Sequence, residues 1–183
     1  MKKNGSKPKK NTPGREPIPE NEAGRREALA RYQLLEGLPA GYFNNLAHIV
    51  AQTFDAPVAL VSLVQQNEVQ FAGNAGMEET DTAPREISLC SLAICDASPT
   101  VIPNALEDPC TLSNPLVTGS FGLRFYAGAP ILTGEGIALG TVCIVDREPR
   151  DFTDTECDML KEFARTAMEE IEIRCRMLKQ AEA

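Results

Sequence analysis

The sequence contains no tryptophan and a single histidine, and it has no lysine between Asn11 and Leu160. Without a lysine in that span, the central part of the chain cannot carry a phosphate-binding loop of the Walker type or a lysine that forms a Schiff base. The single histidine, His48, lies off the apolar stripe of its predicted helix, so we expect a solvated position. Because histidines and cysteines do not cluster, no zinc site of ordinary spacing is expected.

Long apolar runs are also missing. No run approaches the ~18 residues that a membrane-spanning helix needs, and the N-terminal residues lack the apolar stretch of a secretory signal. We therefore expect a cytoplasmic protein that does not contact a membrane. In that compartment, six cysteines at irregular spacings are expected to be reduced thiols, because a disulfide framework is typical of small secreted proteins.

Charge is distributed unevenly along the chain. Residues 1–24 hold six basic and three acidic side chains, a net charge of +3, and the total of −8 leaves −11 for the remainder. We interpret residues 1–24, rich in lysine and proline, as a disordered basic tail. Residues 25–183, which carry the acidic excess, are expected to form a single domain, since a chain that is 43% hydrophobic overall has the composition of an ordinary globular protein. This acidic character argues against nucleic acid as a partner.

Helices are predicted at both ends of this domain. One spans residues 25–36, and a second begins at about Gly41, with an apolar stripe formed by Phe43, Leu46, Ala47, Val50 and Phe54. A short helix of residues 89–95 is expected after Ser88, a good N-cap. The last helix begins with a capping box at Thr153 and extends to about Lys179.

Strands are predicted between these helices, and several are apolar on both faces. Two form a hairpin over residues 57–64 and 68–74, a brief strand follows at residues 100–105, and a second hairpin covers residues 124–146. A strand with one solvated face alternates apolar and polar residues, whereas residues 124–146 place small or apolar residues on both sides. The sequence therefore predicts an α+β domain in which the terminal helices cover one sheet face, and loops cover the other and leave a pocket.

Three segments give the domain a recognisable family resemblance: REISLCSLAI at residues 85–94, EDPCTLSNPLVTG at 107–119 and RFYAGAPILTGEGIALGTVCIVDREPR at 124–150. The chain resembles GAF domains, and in particular the bacterial sensory subgroup found alone or ahead of diguanylate cyclase and histidine kinase modules. The resemblance implies a GAF/PAS-like antiparallel sheet of five to six strands, with helices on one face and a small-molecule pocket on the other.

Departures from the family's motifs exclude some of its functions. The cyclic-nucleotide signature needs a lysine, which the core lacks, and bilin-binding members attach the chromophore through a cysteine that histidine commonly follows. Here no cysteine precedes a histidine, and Leu92 occupies a position where many relatives carry one. No cofactor is therefore predicted.

One enzymatic branch remains as an alternative. The free methionine-(R)-sulfoxide reductases are stand-alone GAF domains that use cysteine chemistry, and Cys90 and Cys110 lie in matching segments. Those enzymes carry a further cysteine about ten residues before the first, where this chain has Thr80 and no cysteine nearby. Two thiols could still support the reaction, one attacking the sulfoxide sulfur and one resolving the intermediate.

Candidate ligand contacts lie in the segments expected to cover the pocket. Polar donors and acceptors are predicted at Arg85, Asp108, Asn114, Arg124 and Tyr126, and apolar lining is predicted at Cys90 and Ala129. Structural roles are an alternative for several of them. Asp108 and Asn114 each precede a proline and are good turn formers, and Arg124 could form an ion pair at the end of a strand.

We interpret the chain as a non-enzymatic sensory domain that binds a small molecule or reports redox state. A homodimer is expected through the last helix, where Ile171, Arg174 and Leu178 continue a heptad seam that should extend beyond the domain. The alternatives are the reductase and a structural dimerisation module with a closed pocket.

Overall fold

A computed structural model describes residues 17–34 and 38–183. It contains five helices and six strands in these ranges, in the order α1 (Glu22–Arg31), α2 (Asn44–Thr53), β1 (Val58–Val64), β2 (Glu68–Ala75), β3 (Thr82–Pro84), α3 (Leu89–Ala93), β4 (Thr100–Ile102), α4 (Pro115–Thr118), β5 (Phe125–Leu132), β6 (Ala138–Asp146) and α5 (Asp154–Ala181). Most of the predicted residues 1–24 tail, together with residues 35–37, lies outside the described ranges.

The strands form one antiparallel sheet in the order β3-β2-β1-β6-β5-β4. Strands β1 and β6 occupy its centre, and each short strand, β3 and β4, lies at an edge. This six-stranded sheet, together with the helices, confirms the predicted α+β class and the GAF-like arrangement. Strand β3 was not predicted, because it has only three residues inside a segment of polar character.

Both faces of the sheet are buried, and each contributes to a separate apolar core. Helices α2 and α5 pack on one face, where Phe125, Ala127 and Ile131 of β5 point toward them. The second face lies beneath α3, α4 and irregular segments, and its core includes Tyr126 of β5 and Cys143 of β6. The continuous apolar character of the 124–146 hairpin thus reflects a sheet that is covered on both sides.

Several local predictions are confirmed. The stripe on α2 is buried or packed against the first core, Ser88 caps α3 by accepting a hydrogen bond from the Cys90 N–H, and Thr153 begins α5 with a reciprocal capping box to Glu156. The first helix differs from its predicted range of 25–36. It begins at Glu22, where the Asn21 side chain caps it, and ends at Arg31, shortly before Gln33 adopts a φ of 56°.

An ion cluster attaches α1 to the sheet. The Glu22 carboxylate accepts hydrogen bonds from Arg25 at 2.8 and 2.9 Å and from Arg85 at 2.6 Å. Arg25, which is only 2% exposed, also donates to the Val64 carbonyl at the end of β1, and Arg85 donates to the carbonyl of Gln65 at 3.0 Å. One carboxylate therefore holds two buried guanidinium groups over the β1–β2 turn.

Helix α5 is buried further toward its C-terminus than predicted, as far as Cys175, and the side chains after Cys175 are mostly exposed, with Met177 at 65%. Ile171 is 1% exposed and Cys175 is 4% exposed, and the Cys175 thiol donates to the Arg31 carbonyl of α1 at 3.6 Å. Ile171 therefore belongs to the core and not to a seam beyond the domain, so this part of the prediction is wrong, because α1 packs beside α5 as far as Cys175. The predicted seam residues Arg174 and Leu178 are half-buried.

We expect Glu22→Gln to lower the free energy of unfolding at pH 7 by about 1.5–3 kcal/mol, the range for hydrogen bonds to charged groups. Burial raises the pKa of Glu22, but the hydrogen bonds from Arg25 and Arg85 outweigh it and lower the pKa to about 2 from 4.5. The stabilising charge is therefore present above about pH 4.5 and is lost as the pH falls toward about 2. Urea unfolding of both proteins from about pH 7 to about pH 3 measures the difference, which should narrow in acid.

The matched control is Glu135→Gln, which removes the exposed ion pair with Arg31. Because those side chains are 48% and 61% exposed, the change should stay below about 1 kcal/mol. A difference between wild type and Glu22→Gln that does not vary with pH would contradict the assignment.

Candidate functional site

A cavity of about 230 Å³ lies on the second face of the sheet. Its walls come from β1, β2, β3, β5 and β6, and its cover comes from α3, α4 and the segments beside them. No charged side chain takes part in the lining, which consists of Leu60, Phe71, Met77, Thr80, Thr82, Ala83, Pro84, Ile87, Ser88, Leu89, Cys90, Leu116, Phe121, Leu123, Tyr126, Cys143 and Val145. The predicted pocket on the face opposite the terminal helices is therefore present.

Hydrogen bonds between side chains and backbone hold this cover in place. The Asn114 side chain caps α4 by accepting from the Leu116 N–H at 2.8 Å, and its amide donates to the Ile87 carbonyl at 2.8 Å. The buried Ser91 hydroxyl donates to the Arg85 carbonyl at 2.8 Å. These contacts attach α4 to the segment before α3, and α3 to Arg85 of the ion cluster, so the cavity has a defined cover without long helices above it.

Tyr126 supplies a buried polar group of the cavity wall. The side chain is 1% exposed, and its hydroxyl has no hydrogen-bond partner among the described residues. A Cβ atom at position 128 would lie 2.3 Å from this hydroxyl, so the ring lies along its own strand over a position that only glycine can occupy. Burial and the neighbouring Cys90 and Cys143 raise the pKa of Tyr126 well above 10, so the hydroxyl stays protonated and available as a donor.

Two cysteines meet beside this tyrosine. The sulfur atoms of Cys90 in α3 and Cys143 in β6 are 3.8 Å apart, and both line the cavity. The contact with Cys90, together with burial, raises the pKa of Cys143 well above its ordinary value. The hydrogen bond from Cys143 lowers the pKa of Cys90, although burial opposes this effect. Cys90 is therefore the first thiol of the pair to ionise, while Cys143 keeps its proton.

Of the predicted lining residues, Cys90 and Tyr126 are in the cavity wall but Ala129 is not. Ala129 lies in the core between the sheet and the helices, paired with Val142 on β6. The prediction for Ala129 is wrong because residues three apart on a regular strand point to opposite faces. The alternation along β5 separates Ala129 from Tyr126.

The four other predicted ligand residues do not line the cavity. Arg85 binds Glu22 and backbone carbonyls, and Asn114 caps α4. The Asp108 side chain accepts from the Cys110 N–H at 2.8 Å within its own turn, and Arg124 donates to the carbonyls of Val117 and Leu123. All four organise the loops around the cavity, which corresponds to the structural alternative considered for Asp108 and Asn114. Arg85 and Arg124 also have structural roles, because their guanidinium groups donate hydrogen bonds to backbone carbonyls.

The second thiol of the alternative enzyme, Cys110, lies away from the cavity lining. It is exposed in the segment before α4, whereas Cys90 is 3% exposed inside the domain. Burial and the Asp108 carboxylate raise the pKa of Cys110, so this thiol is not activated as a thiolate. The structure therefore does not assemble Cys90 and Cys110 into one site.

Cys143 lines the cavity but was not predicted as a residue of the site. Alternation places Cys143 and Val145 on one face of β6, but the identity of that face depends on the pairing of β6 with β5. In the structure Cys143 is opposite Gly128 and Val145 is opposite Tyr126, so all four share one face. Once the register of β6 against β5 is known, the alternation along β6 places Cys143 on the cavity face.

Other kinds of site receive no support in the described parts of the chain. Within residues 17–34 and 38–183, no three potential ligands among histidine, cysteine, aspartate and glutamate come together as a metal site. None of the described helices is both long enough and apolar enough to cross a membrane.

Comparisons with known proteins point to one family. The family model of the GAF domain matches residues 41–171. A cyclic di-GMP phosphodiesterase of Pseudomonas aeruginosa is 35% identical over 156 residues, which cover 85% of this chain and 26% of that protein. The chain thus spans about a quarter of the length of this relative.

Solved structures share the fold at lower sequence identity. The second GAF domain of DevS from Mycobacterium smegmatis superposes with a TM-score of 0.57 at 17% identity, covering 76% of this chain and 96% of that domain. A free methionine-R-sulfoxide reductase from Neisseria meningitidis, solved with its substrate, gives a TM-score of 0.59 at 18% identity, covering 85% and 92%. At these identities the likeness concerns the fold alone.

We expect Tyr126→Phe to raise the free energy of unfolding by about 1 kcal/mol, because it removes a buried hydroxyl that has no partner in the cavity wall. Denaturant unfolding measures the change. The control is Tyr42→Phe at a side chain that is 38% exposed, where little change is expected. A loss of stability in Tyr126→Phe would show that the hydroxyl is hydrogen-bonded in the free protein.

Proposed function

Because the chain belongs to the GAF domain family, we propose that it is a non-enzymatic sensory domain whose apolar cavity binds a small molecule. The observation that carries the proposal is a cavity of about 230 Å³ with a hydroxyl that has no partner among the described residues. Buried polar groups are normally paired, so an unpaired donor beside a void indicates a partner that arrives from outside the protein.

The lining specifies the chemistry of this ligand. With no charged side chain in the wall, a phosphate or carboxylate would lose its hydration without gaining a counter-charge, so the ligand is uncharged. A dry cavity of about 150 Å³ holds a benzene molecule, and in proportion this one holds roughly nine non-hydrogen atoms. We propose a compact, largely apolar molecule with one group that accepts a hydrogen bond from Tyr126.

The output of the domain is proposed by analogy with its relative. That protein is named as a cyclic di-GMP phosphodiesterase, and this chain covers only about a quarter of it. We propose that the chain regulates an activity of this kind rather than performing it. A cyclic dinucleotide is not the proposed ligand, since its two phosphates would meet an uncharged wall.

The reductase alternative is less well supported. Fold similarity to a free methionine-R-sulfoxide reductase favours it, but the two cysteines that it would use lie apart, one buried and one exposed. The raised pKa of Cys110 also argues against its use as a reactive thiolate.

A continuous set of contacts offers a route from the cavity to the terminal helices. Cys90 of α3 lines the cavity, and Ser91 binds the Arg85 carbonyl. The Arg85 guanidinium binds Glu22 at the start of α1, and the Arg31 carbonyl at the other end of α1 accepts from Cys175 of α5. We propose that a ligand-dependent shift of α3 changes how α1 packs against α5.

Toluene and p-cresol test the proposed ligand chemistry, because they differ by one hydroxyl group. We expect both to bind the full chain, detected by NMR titration and by a rise in melting temperature. Tyr126→Phe should weaken p-cresol binding about fivefold, corresponding to one neutral hydrogen bond, and leave toluene binding unchanged.

Ala83→Phe is the matched control, since Ala83 lines the cavity on the edge strand β3 and a phenyl ring would fill the space. Binding of either compound should be lost in this variant. If wild type binds neither compound saturably, or if Ala83→Phe binds as wild type does, the proposed site is wrong.

We also propose that two copies associate through α5, along a face shifted from the predicted seam. Ile173 and Met177 are 43% and 65% exposed and lie one turn apart, so they form a short apolar stripe near the end of α5. A two-fold pairing lets each stripe cover its counterpart. Ile171 cannot belong to this contact surface, because its side chain is already buried in the domain.

Light scattering on the full chain tests the pairing. We expect a dimer for wild type and a monomer for Met177→Glu, because a charge would be placed in the paired stripe. Leu112→Glu is the control, with a side chain 50% exposed in the segment before α4, and it should remain dimeric. A monomeric wild type or a dimeric Met177→Glu would contradict the proposal. Truncation before Ile171 is unsuitable, since it removes buried core residues.

A further inference from the structure

We propose that Cys90 and Cys143 are a redox site in the cavity wall, in which a hydroperoxide converts the two thiols into a reversible disulfide. Their sulfur atoms are 3.8 Å apart although the residues are 53 positions apart in the sequence. Both line the cavity, so a small oxidant that enters it reaches them without unfolding of the domain. This modification requires no other ligand and is independent of the proposed sensory ligand.

The two residues sit on elements of different rigidity. Cys143 lies on β6 at the centre of the sheet, hydrogen-bonded to neighbours on both sides, and it is completely buried. Cys90 lies near the start of α3, a helix of five residues. A disulfide has a sulfur–sulfur distance of about 2.05 Å, so the sulfurs must approach by roughly 1.8 Å. A torsion of the Cys90 side chain with a small shift of α3 can supply this movement.

Polar neighbours make ionisation of Cys90 feasible inside an otherwise apolar wall. Once Cys90 is ionised, the Cys143 thiol can donate to its sulfur, and the hydroxyls of Ser62, Thr141 and Tyr126 make smaller contributions that also favour the thiolate. Ser62 and Thr141 are themselves 2.8 Å apart and completely buried. A thiolate formed here is stabilised by hydrogen bonds, which partly offset the cost of burying its charge.

The reaction balances in two steps. The Cys90 thiolate attacks the terminal oxygen of the hydroperoxide, the oxygen–oxygen bond breaks, and Cys90 becomes a sulfenic acid while an alcohol leaves after taking up the thiol proton. The Cys143 sulfur then attacks the sulfenic sulfur and water leaves, which forms the disulfide. In total, two thiols and one hydroperoxide give a disulfide, an alcohol and water. An external dithiol restores the reduced pair by exchange.

The other four cysteines do not offer the same arrangement. Cys95 and Cys110 are exposed, and Cys157 is half-buried on α5. Cys175 is buried, and its thiol donates to the Arg31 carbonyl. Burial and nearby carboxylates raise the pKa of both Cys110 and Cys157, so these thiols resist oxidation by hydroperoxide at neutral pH.

The experiment uses the full chain with Cys95→Ser and Cys110→Ser, so that the exposed thiols cannot contribute. The reduced protein is treated with stoichiometric tert-butyl hydroperoxide, whose six non-hydrogen atoms fit the cavity, and is then denatured and alkylated. Before alkylation, we expect the mass to fall by two hydrogen atoms on oxidation. After alkylation, two fewer cysteines should be modified than in the reduced protein. Peptide mapping should recover a Cys90–Cys143 link, and dithiothreitol should reverse it.

Adding Cys143→Ser to this background should abolish the link and leave Cys90 as a sulfenic acid, which a dimedone adduct detects. Adding Cys157→Ser instead should change nothing. Peptide mapping of the oxidised wild-type chain, which retains all six cysteines, does not depend on how the variants fold. Absence of the link there, or oxidation of Cys90 to the sulfinic acid without a link, would overturn the proposal.

Discussion

The central strands β1 and β6 are buried on both faces, so the sheet requires a cover on each side. One cover is regular: α2 and α5 present apolar stripes that pack closely on the sheet. The other is built from two short helices and irregular segments, which cannot present a continuous apolar surface of matching shape. The cavity is a consequence of this difference, because short elements held by a few hydrogen bonds leave a void that long helices would fill.

The polar groups of this second core distinguish it from the first. Ser62, Thr141, Tyr126 and the pair of thiols all lie on the same side of the sheet, in strands that otherwise carry apolar side chains. Burying such groups costs free energy unless they are paired, and the Tyr126 hydroxyl lacks a partner among the described residues. Apolar residues at these positions would avoid this cost in the free energy of folding. The presence of the polar groups on the cavity side is consistent with recognition or chemistry at this face.

Features that depend on neighbouring residues could be predicted from the sequence. The stripe on α2, the Ser88 cap and the capping box at Thr153 each involve residues within a few positions, and all are confirmed. Features that depend on distant partners could not. Arg85 binds Glu22, 63 positions away, so its guanidinium could not be distinguished from a ligand contact. Cys143 lies beside Cys90 because of the strand register and the position of α3, and both depend on distant residues. Ala129 was misplaced for another reason, since strand alternation already separated it from Tyr126.

The two edges of the sheet are formed by β3 and β4, with three residues each, and β3 ends in Pro84. An edge strand has unpaired backbone groups that can form hydrogen bonds with a strand of another molecule. The number of such hydrogen bonds increases with the length of the edge strand. Here each edge provides so few hydrogen-bonding groups that a foreign strand would gain little, and proline removes one donor from β3. The domain is thereby protected against continuous sheet growth between molecules, a common route to aggregation for proteins with open sheets.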